Sequence, residues 1–283
     1  MYKRQTRPLS KSFGAEVLGF QLSGTPSGED IIAIRKLWAE HKLLLFRGQS
    51  FDEAALVAFS RRFGDLEIHV REEYLSPEHP EVLYVSNIER DGRRIGILSD
   101  NEVGWHYDQI YLPKPAVGSL LMADTLPPEG GNTEFADMCA AWEALPTGTR
   151  AKLEGCLANQ SYEAFNSAYS VPTNNTQKAR SPDIHHPIVR THPVTNRKAL
   201  YLCPGMTTEI VGWDATESEE MLEFLFEWTT RPEFVYSHQW QPGDALMWDN
   251  ACTMHRRDPF DPQHERLMKR TTILPPPDLA VPF

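Results

Sequence analysis

The strongest constraint on the fold is the punctuation of the C-terminal third. Four runs rich in strand formers, Glu233–Trp240, Asp244–Trp248, Cys252–Arg256 and Leu267–Leu274, follow one another, with turns at Gln241-Pro242-Gly243 and Asp258–Gln263. Strands joined so closely pair antiparallel, because a parallel pair needs a crossover of about a dozen residues. The same grammar recurs upstream. Val82–Ser86, Gly118–Leu126 and Asn132–Met138 read as strands, with Pro127-Pro128-Glu129-Gly130-Gly131 as a tight turn. Ile188–Thr191 and Ala199–Leu202 flank a turn at Thr195-Asn196. Residues 12–23 hold a short strand, and Lys42–Phe46 reads as a buried one.

Helices interrupt this pattern. Ile31, Ile32, Ile34, Leu37 and Trp38 recur at helical spacing and predict a helix over Gly28–His41. A second helix is expected over Phe51–Phe63, with Ser50 as its cap and Gly64 as its stop. Trp142–Leu157 reads as mostly helical, and Glu217–Thr230 as a helix with Met221, Leu222, Leu225 and Trp228 on one face. Regular β–α–β alternation and a phosphate-binding glycine loop are both missing from the pattern. The expected architecture is mainly β with helical insertions on a double-stranded β-helix (jelly-roll) core, a fold that encloses a small ligand cavity. Residues 1–283 are expected to form one domain. Glu89–Glu102 reads as an exposed loop, and 165–186, rich in Asn, Ser, Thr and Pro, as an active-site lid.

Charge and cysteine usage narrow the class. A net charge of −11 argues against nucleic acid and anionic membranes as partners. Cys139, Cys156, Cys203 and Cys252 form no C-x-x-C pair and read as free thiols in a reducing compartment. No apolar run is long enough to span a bilayer, and no apolar leader follows Met1, so the expected location is cytoplasmic.

The chemistry-bearing residues are sparse. His106 and Asp108, two apart in Gly104-Trp105-His106-Tyr107-Asp108-Gln109, share one face if the stretch is a strand. With His255 downstream they make a two-histidine, one-carboxylate set that holds one side of an octahedral Fe(II) and leaves positions open. Alone, an H-x-D specifies almost nothing. Arg266, Met268 and Arg270 share a strand face, and inward arginines predict two anionic groups to meet them. His185, His186 and His192 suggest a second metal cluster, but their places at strand ends favour hydrogen-bonded histidines.

Taken together these residues resemble the taurine dioxygenase-like (TauD/TfdA) oxygenases. The likeness runs through Leu44-Leu45-Phe46-Arg47, Arg62-Phe63-Gly64-Asp65-Leu66, Trp105–Asp108 and Gly130-Gly131-Asn132-Thr133. It continues through Val189-Arg190-Thr191-His192-Pro193, Trp248-Asp249-Asn250 with His255, and Arg266–Thr272. The resemblance implies an Fe(II)- and 2-oxoglutarate-dependent dioxygenase that hydroxylates or desaturates a small, anionic organic substrate and releases succinate and CO2. It implies His106, Asp108 and His255 as iron ligands, and Thr133 and Arg266 on the distal carboxylate of 2-oxoglutarate. By the same likeness His69 and Arg270 hold the substrate anion; Glu102, Tyr107, Tyr162 and Met206 are candidates for its pocket, the tyrosines and Met206 fitting pocket or core equally. Glu102, Tyr107 and Met206 depart from the taurine pattern, which turns the expectation away from taurine itself. A larger biosynthetic, amino-acid-derived substrate is the alternative, and a non-catalytic jelly-roll binding protein a weaker one. The family also implies homodimers or homotetramers.

Overall fold

The computed structural model describes residues 5–11, 13–50, 52–97, 103–167 and 182–277. Two antiparallel sheets carry the architecture. The larger has seven strands in the order Thr6–Pro8, Ala15–Val17, Leu43–Phe46, Ala245–Asp249, Gly118–Thr125, Leu267–Ile273 and Leu83–Ser86. Its one parallel pair joins Ala15–Val17 to Leu43–Phe46. The smaller has four strands in the order Val235–His238, Thr133–Asp137, Thr253–Arg257 and Val103–His106. Chain neighbours are thus split between the sheets, as a jelly roll requires.

Strand periodicity decides what faces what. Leu43, Leu45, Leu121, Ala123, Leu246, Trp248 and Met268 turn inward and meet Phe135 of the smaller sheet in one apolar cluster. Their neighbours Leu44, Phe46, Leu120, Met122, Ala245 and Met247 turn outward, where Ile31, Ile34 and Trp38 of the Gly28–His41 helix cover them together with Leu56, Val57 and Phe59. Period-two alternation therefore builds both layers from the same strands. On the far side, Ala136, Cys252 and Met254 of the smaller sheet pack with Cys139, Trp142, Leu222 and Leu225. The apolar face expected of the downstream helix, found at Ala215–Thr229, is buried here.

The first helix spans the predicted residues because Ser27 and Asp30 close a capping box at its start. Its end is set by Lys42, which takes a left-handed conformation (φ 65°) and buries its ammonium 2.5 Å from Asp137. The second helix is shorter than expected, Glu53–Ser60. Asp52, rather than Ser50, caps it by accepting from the Ala55 amide. The expected Trp142–Leu157 helix is two helices, Met138–Ala144 and Thr147–Leu153, since Pro146 disfavours a helical Leu145. The expected loop after Glu89 contains a small hairpin, Glu89–Arg90 with Arg93–Arg94, turned by Asp91 and Gly92 at positive φ. The expected lid is structured at both ends. Tyr162–Ser167 is helical, Ile184–Pro187 pairs with Leu157–Gln160, and 168–181 lie outside the described residues. Among the described residues no helix is long and apolar enough to cross a membrane, and the four cysteines are free.

Candidate active site

His106 and His255 face each other directly across the pairing of Val103–His106 with Thr253–Arg257, their ring centroids 4.2 Å apart. The strand ends at His106. Asp108 therefore reaches the same side from the turn beyond rather than from a strand position, and Asn250 fixes it there. The Asn250 side chain accepts from the Asp108 amide (3.0 Å) and donates to the Asp108 and Ala116 carbonyls. Asp108 Oδ1 lies 3.9 Å from His106 Nε2 and 4.0 Å from His255 Nε2, and the three donor atoms fall within 4.8 Å of one another.

The protonation states suit a metal. His106 donates Nδ1–H to the Gly104 carbonyl at 2.8 Å, which makes Nε2 the unprotonated nitrogen suited to ligate a metal. Burial lowers the pKa of His106 and carries that of His255 well below the ordinary value, with His106 adding to the latter. Both rings are neutral and able to ligate. Burial alone would raise the Asp108 carboxyl, but Arg270, His255 and His106 outweigh it and bring it to about 2. Ser119 donates to its second oxygen at 3.1 Å.

Thr133 lies on the strand that pairs with His255, two residues from His255's partner Phe135, and a cluster of hydrogen-bond donors gathers at that end. Arg266 is 1% exposed; its Nη2 donates to the Gly131 carbonyl at 3.2 Å, and its Nε and Nη1 meet no acceptor among the described residues. Burial, then the charge of Arg257, lowers its pKa to about 9, so it remains a cation at neutral pH. Gly131, at φ 65°, leaves room for this guanidinium, since a Cβ there would stand 3.1 Å from Nε. Thr133 follows two residues later, 4% exposed. A buried cation with idle donors fits a carboxylate ligand. The triad and this cluster together fit Fe(II) and 2-oxoglutarate.

Arg270 lies on the triad's other flank, its guanidinium 5.9 Å above the Trp248 ring and its Nη2 3.0 Å from Asp108 Oδ1. Half-buried His69 shares its electrostatic environment. Burial, then Arg270 and Arg71, lowers its pKa to about 4, and its Nδ1 accepts from the Arg71 amide. Tyr162 packs against Tyr111 with ring centroids 4.5 Å apart and planes tilted by 45°, and Tyr111 senses the charges of Glu67, Asp108 and Arg270.

Tyr107 corrects the expectation. It is fully buried in the core outside the smaller sheet, its hydroxyl donates to the Leu200 carbonyl at 2.8 Å, and its ring meets Tyr201. Alternation about His106 points it away from the triad. Met206 is 2% exposed in the same core, against which Tyr111 packs. Glu102 lies outside the described residues.

Sequence reading missed several participants. Ser119 gave no signal beyond its type, and Asn250 entered only as part of Trp248-Asp249-Asn250, with no role of its own. Glu67 sits near Arg270, Gln109 and Thr272; burial raises its pKa against the pull of Arg270. The second histidine cluster resolves into hydrogen bonds. His186 Nε2 meets the Leu112 carbonyl at 2.9 Å. His192 joins Asp249 and Cys252, but its Nε2 bonds Asp249 at 2.8 Å while Nδ1 accepts from the Val194 and Thr195 amides.

Comparison with known proteins agrees with this geometry. The model of the "Taurine catabolism dioxygenase TauD, TfdA family" matches residues 5–272, and the chain belongs to that family. It is similar to the α-ketoglutarate-dependent 2,4-dichlorophenoxyacetate dioxygenase of Cupriavidus pinatubonensis, 34% identical over 94% of this chain and 96% of the relative. Pentalenolactone F synthase of Streptomyces avermitilis is 33% identical over 95% of this chain and 93% of its own. Among solved structures, AAD-2 in complex with Mn(II) and N-oxalylglycine superposes with a TM-score of 0.84 at 31% identity, covering 99% of this chain and 100% of that one. The protein is a non-haem dioxygenase, an oxidoreductase that uses Fe(II), 2-oxoglutarate and O2 on a small molecule.

Proposed function

We propose that this enzyme oxidises a small organic acid of the aryloxy or alkyl type, held by its anionic group on Arg270 and His69. The observation that carries the reading is the 3.0 Å contact between Arg270 Nη2 and Asp108 Oδ1, which sets an anion-binding guanidinium directly beside the triad. Relatives that act on 2,4-dichlorophenoxyacetate and on phenoxypropionate support the substrate class. The pentalenolactone F synthase relative supports the alternative, a larger biosynthetic intermediate. Four free cysteines support a reducing, cytoplasmic setting, and the net charge of −11 supports partners other than nucleic acid and anionic membranes.

In this reading His106, Asp108 and His255 hold the iron, and Arg266 with Thr133 holds the distal carboxylate of 2-oxoglutarate. Bound there, Fe(II) with 2-oxoglutarate and O2 supplies the oxidising power, and 2-oxoglutarate leaves as succinate and CO2. The chain positions everything else. Asn250 and Ser119 orient Asp108; Arg270 and His69 fix the substrate's anionic end. The contact of Arg270 with Asp108 places the substrate's anionic end close to the triad, so the carbon oxidised is one near that end. Tyr111 and Tyr162 supply an aromatic wall for the substrate body.

Succinate formation tests this with phenoxyacetates, phenoxypropionates, alkyl sulfates and uncharged aryloxyethanols as candidate substrates. Stimulation by one of the anionic classes is expected. Arg270→Gln should raise KM for that acid roughly 30-fold, the loss of a charge-assisted pair of about 2 kcal/mol. Equal turnover of the matched uncharged ether, or an unchanged KM in the variant, would remove the anion-binding role.

A further inference from the structure

Trp240 makes a bond that the reaction's recognised parts do not account for. It follows the Val235–His238 strand, whose His238 stands opposite Thr133 in the sheet register. From there the indole Nε1–H donates to Thr133 Oγ1 at 2.9 Å. An indole N–H only donates, whereas a hydroxyl has one hydrogen to give and two lone pairs to receive. With Trp240 on a lone pair, Thr133 accepts on one side and keeps its own hydrogen for another partner. Thr133 is buried, and no described residue receives that hydrogen.

Arg266 already presents idle Nε and Nη1 donors against Gly131, two residues before Thr133. The pocket is therefore dominated by donors, with the second lone pair of Thr133 the acceptor left beside them. A carboxylate, which only accepts, satisfies all of them. A carboxamide has only its one oxygen to offer those donors, and its NH2 meets a single lone pair on Thr133.

The indole is held in place. Its ring stands edge-on to His238 at 4.7 Å and 88°. His238 is fully buried, with Nε2 3.0 Å from Asp244 Oδ2 and Nδ1 3.0 Å from the Tyr236 hydroxyl. Asp244 also accepts from the Gln241 amide at 3.0 Å and from Arg47 at 2.9 Å. These bonds pin the Gln241–Asp244 turn and, through it, the indole.

We propose that Trp240 is a positioning residue that fixes the hydrogen-bond polarity of the 2-oxoglutarate pocket, so that Thr133 donates and the pocket selects a carboxylate over a carboxamide. The inference rests on the reading that Thr133 and Arg266 bind the distal carboxylate. It concerns orientation, not contact with reacting atoms.

Calorimetric titration of Mn(II)-loaded protein tests it, with 2-oxoglutarate, its distal amide 2-oxoglutaramate, and pyruvate, which lacks the distal group. Trp240→Phe keeps a ring and removes the N–H. It should weaken 2-oxoglutarate about tenfold, leave pyruvate unchanged, and narrow the preference for acid over amide. Thr133→Val should lose at least as much, and the double variant no more than Thr133→Val alone, because Trp240 acts only through the Thr133 hydroxyl. Unchanged pyruvate affinity also certifies a folded metal site. If Thr133→Val weakens 2-oxoglutarate while Trp240→Phe does not, or if the two losses add, the polarity role is wrong. If Thr133→Val and Arg266→Met both leave 2-oxoglutarate affinity intact, the pocket assignment beneath it falls as well.

Discussion

Among the described residues Arg266 is a cation buried without an anion, and at the residue scale this is the most telling state in the molecule. Removing a buried charge from water is costly unless a partner returns the energy. Here the low pKa of about 9 reports that cost, and the idle Nε and Nη1 report the missing partner. Arg266→Met should therefore leave the urea midpoint of the ligand-free protein unchanged or raised, since the stem is replaced and the charge removed. The same change should weaken 2-oxoglutarate at least 100-fold, on the order of 3 kcal/mol for a charged hydrogen-bonded pair. A large loss of ligand-free stability would show instead that Arg266 is a structural cation held by Gly131. Residues of this kind were legible in the sequence because their side chains have little reason to be inside except chemistry. Tyr107 was not. A tyrosine serves core or pocket equally well, and only the end of the strand at His106 decides which way it turns. Glu67 and Trp240 were hidden for a related reason. Their meaning lies in a partner distant in the chain, Arg270 in one case and Thr133 in the other.

Between elements, contacts through backbone are as decisive as side-chain packing. Trp38 of the first helix lies flat enough on the larger sheet that only glycine fits beneath it at position 118. A Cβ there would run into the Trp38 ring and stand 2.5 Å from the Trp248 carbonyl. Gly118→Ala should destabilise by about 2–3 kcal/mol through overpacking, read as a lower urea midpoint with an unchanged m-value. Trp38→Leu in that background should recover part of the loss, and failure to do so would place the strain elsewhere. The strand carrying Gly118 also carries Ser119, which bonds Asp108, so 2-oxoglutarate affinity should fall with it. Elements bounded by local chemistry were legible at this scale. Ser27 and Asp30 mark the first helix because the cap lies in the sequence itself. The second helix start was displaced because Ser50 and Asp52 offer the same capping group, and Asp52 reaches the Ala55 amide. The Glu89–Arg94 hairpin was invisible because a charged ribbon lacks the alternation that marks a half-buried strand.

Across the whole molecule, the site straddles the two sheets. His106 and His255 belong to the smaller sheet, Arg270 to the larger, and Arg266 directly precedes the larger sheet's Leu267–Ile273 strand. Among the described residues the charge pair joining the sheets here is Arg270–Asp108, while Arg266 meets only the Gly131 carbonyl. A metal on the triad with a dicarboxylate reaching Arg266 would join both sheets, so ligand binding should appear as global stability. A ligand that binds only the folded state adds about 2.7 kcal/mol at 100 times its Kd. For a chain of this length that corresponds to a rise in Tm of about 5 °C. Mn(II) with N-oxalylglycine, which avoids turnover, should give that rise together, and neither alone should match it. EDTA should reverse it. In Arg266→Met the Mn(II) contribution should persist while the N-oxalylglycine increment disappears, because only the distal carboxylate has lost its partner. Equal increments in wild type and variant would mean that the dicarboxylate binds without spanning the sheets.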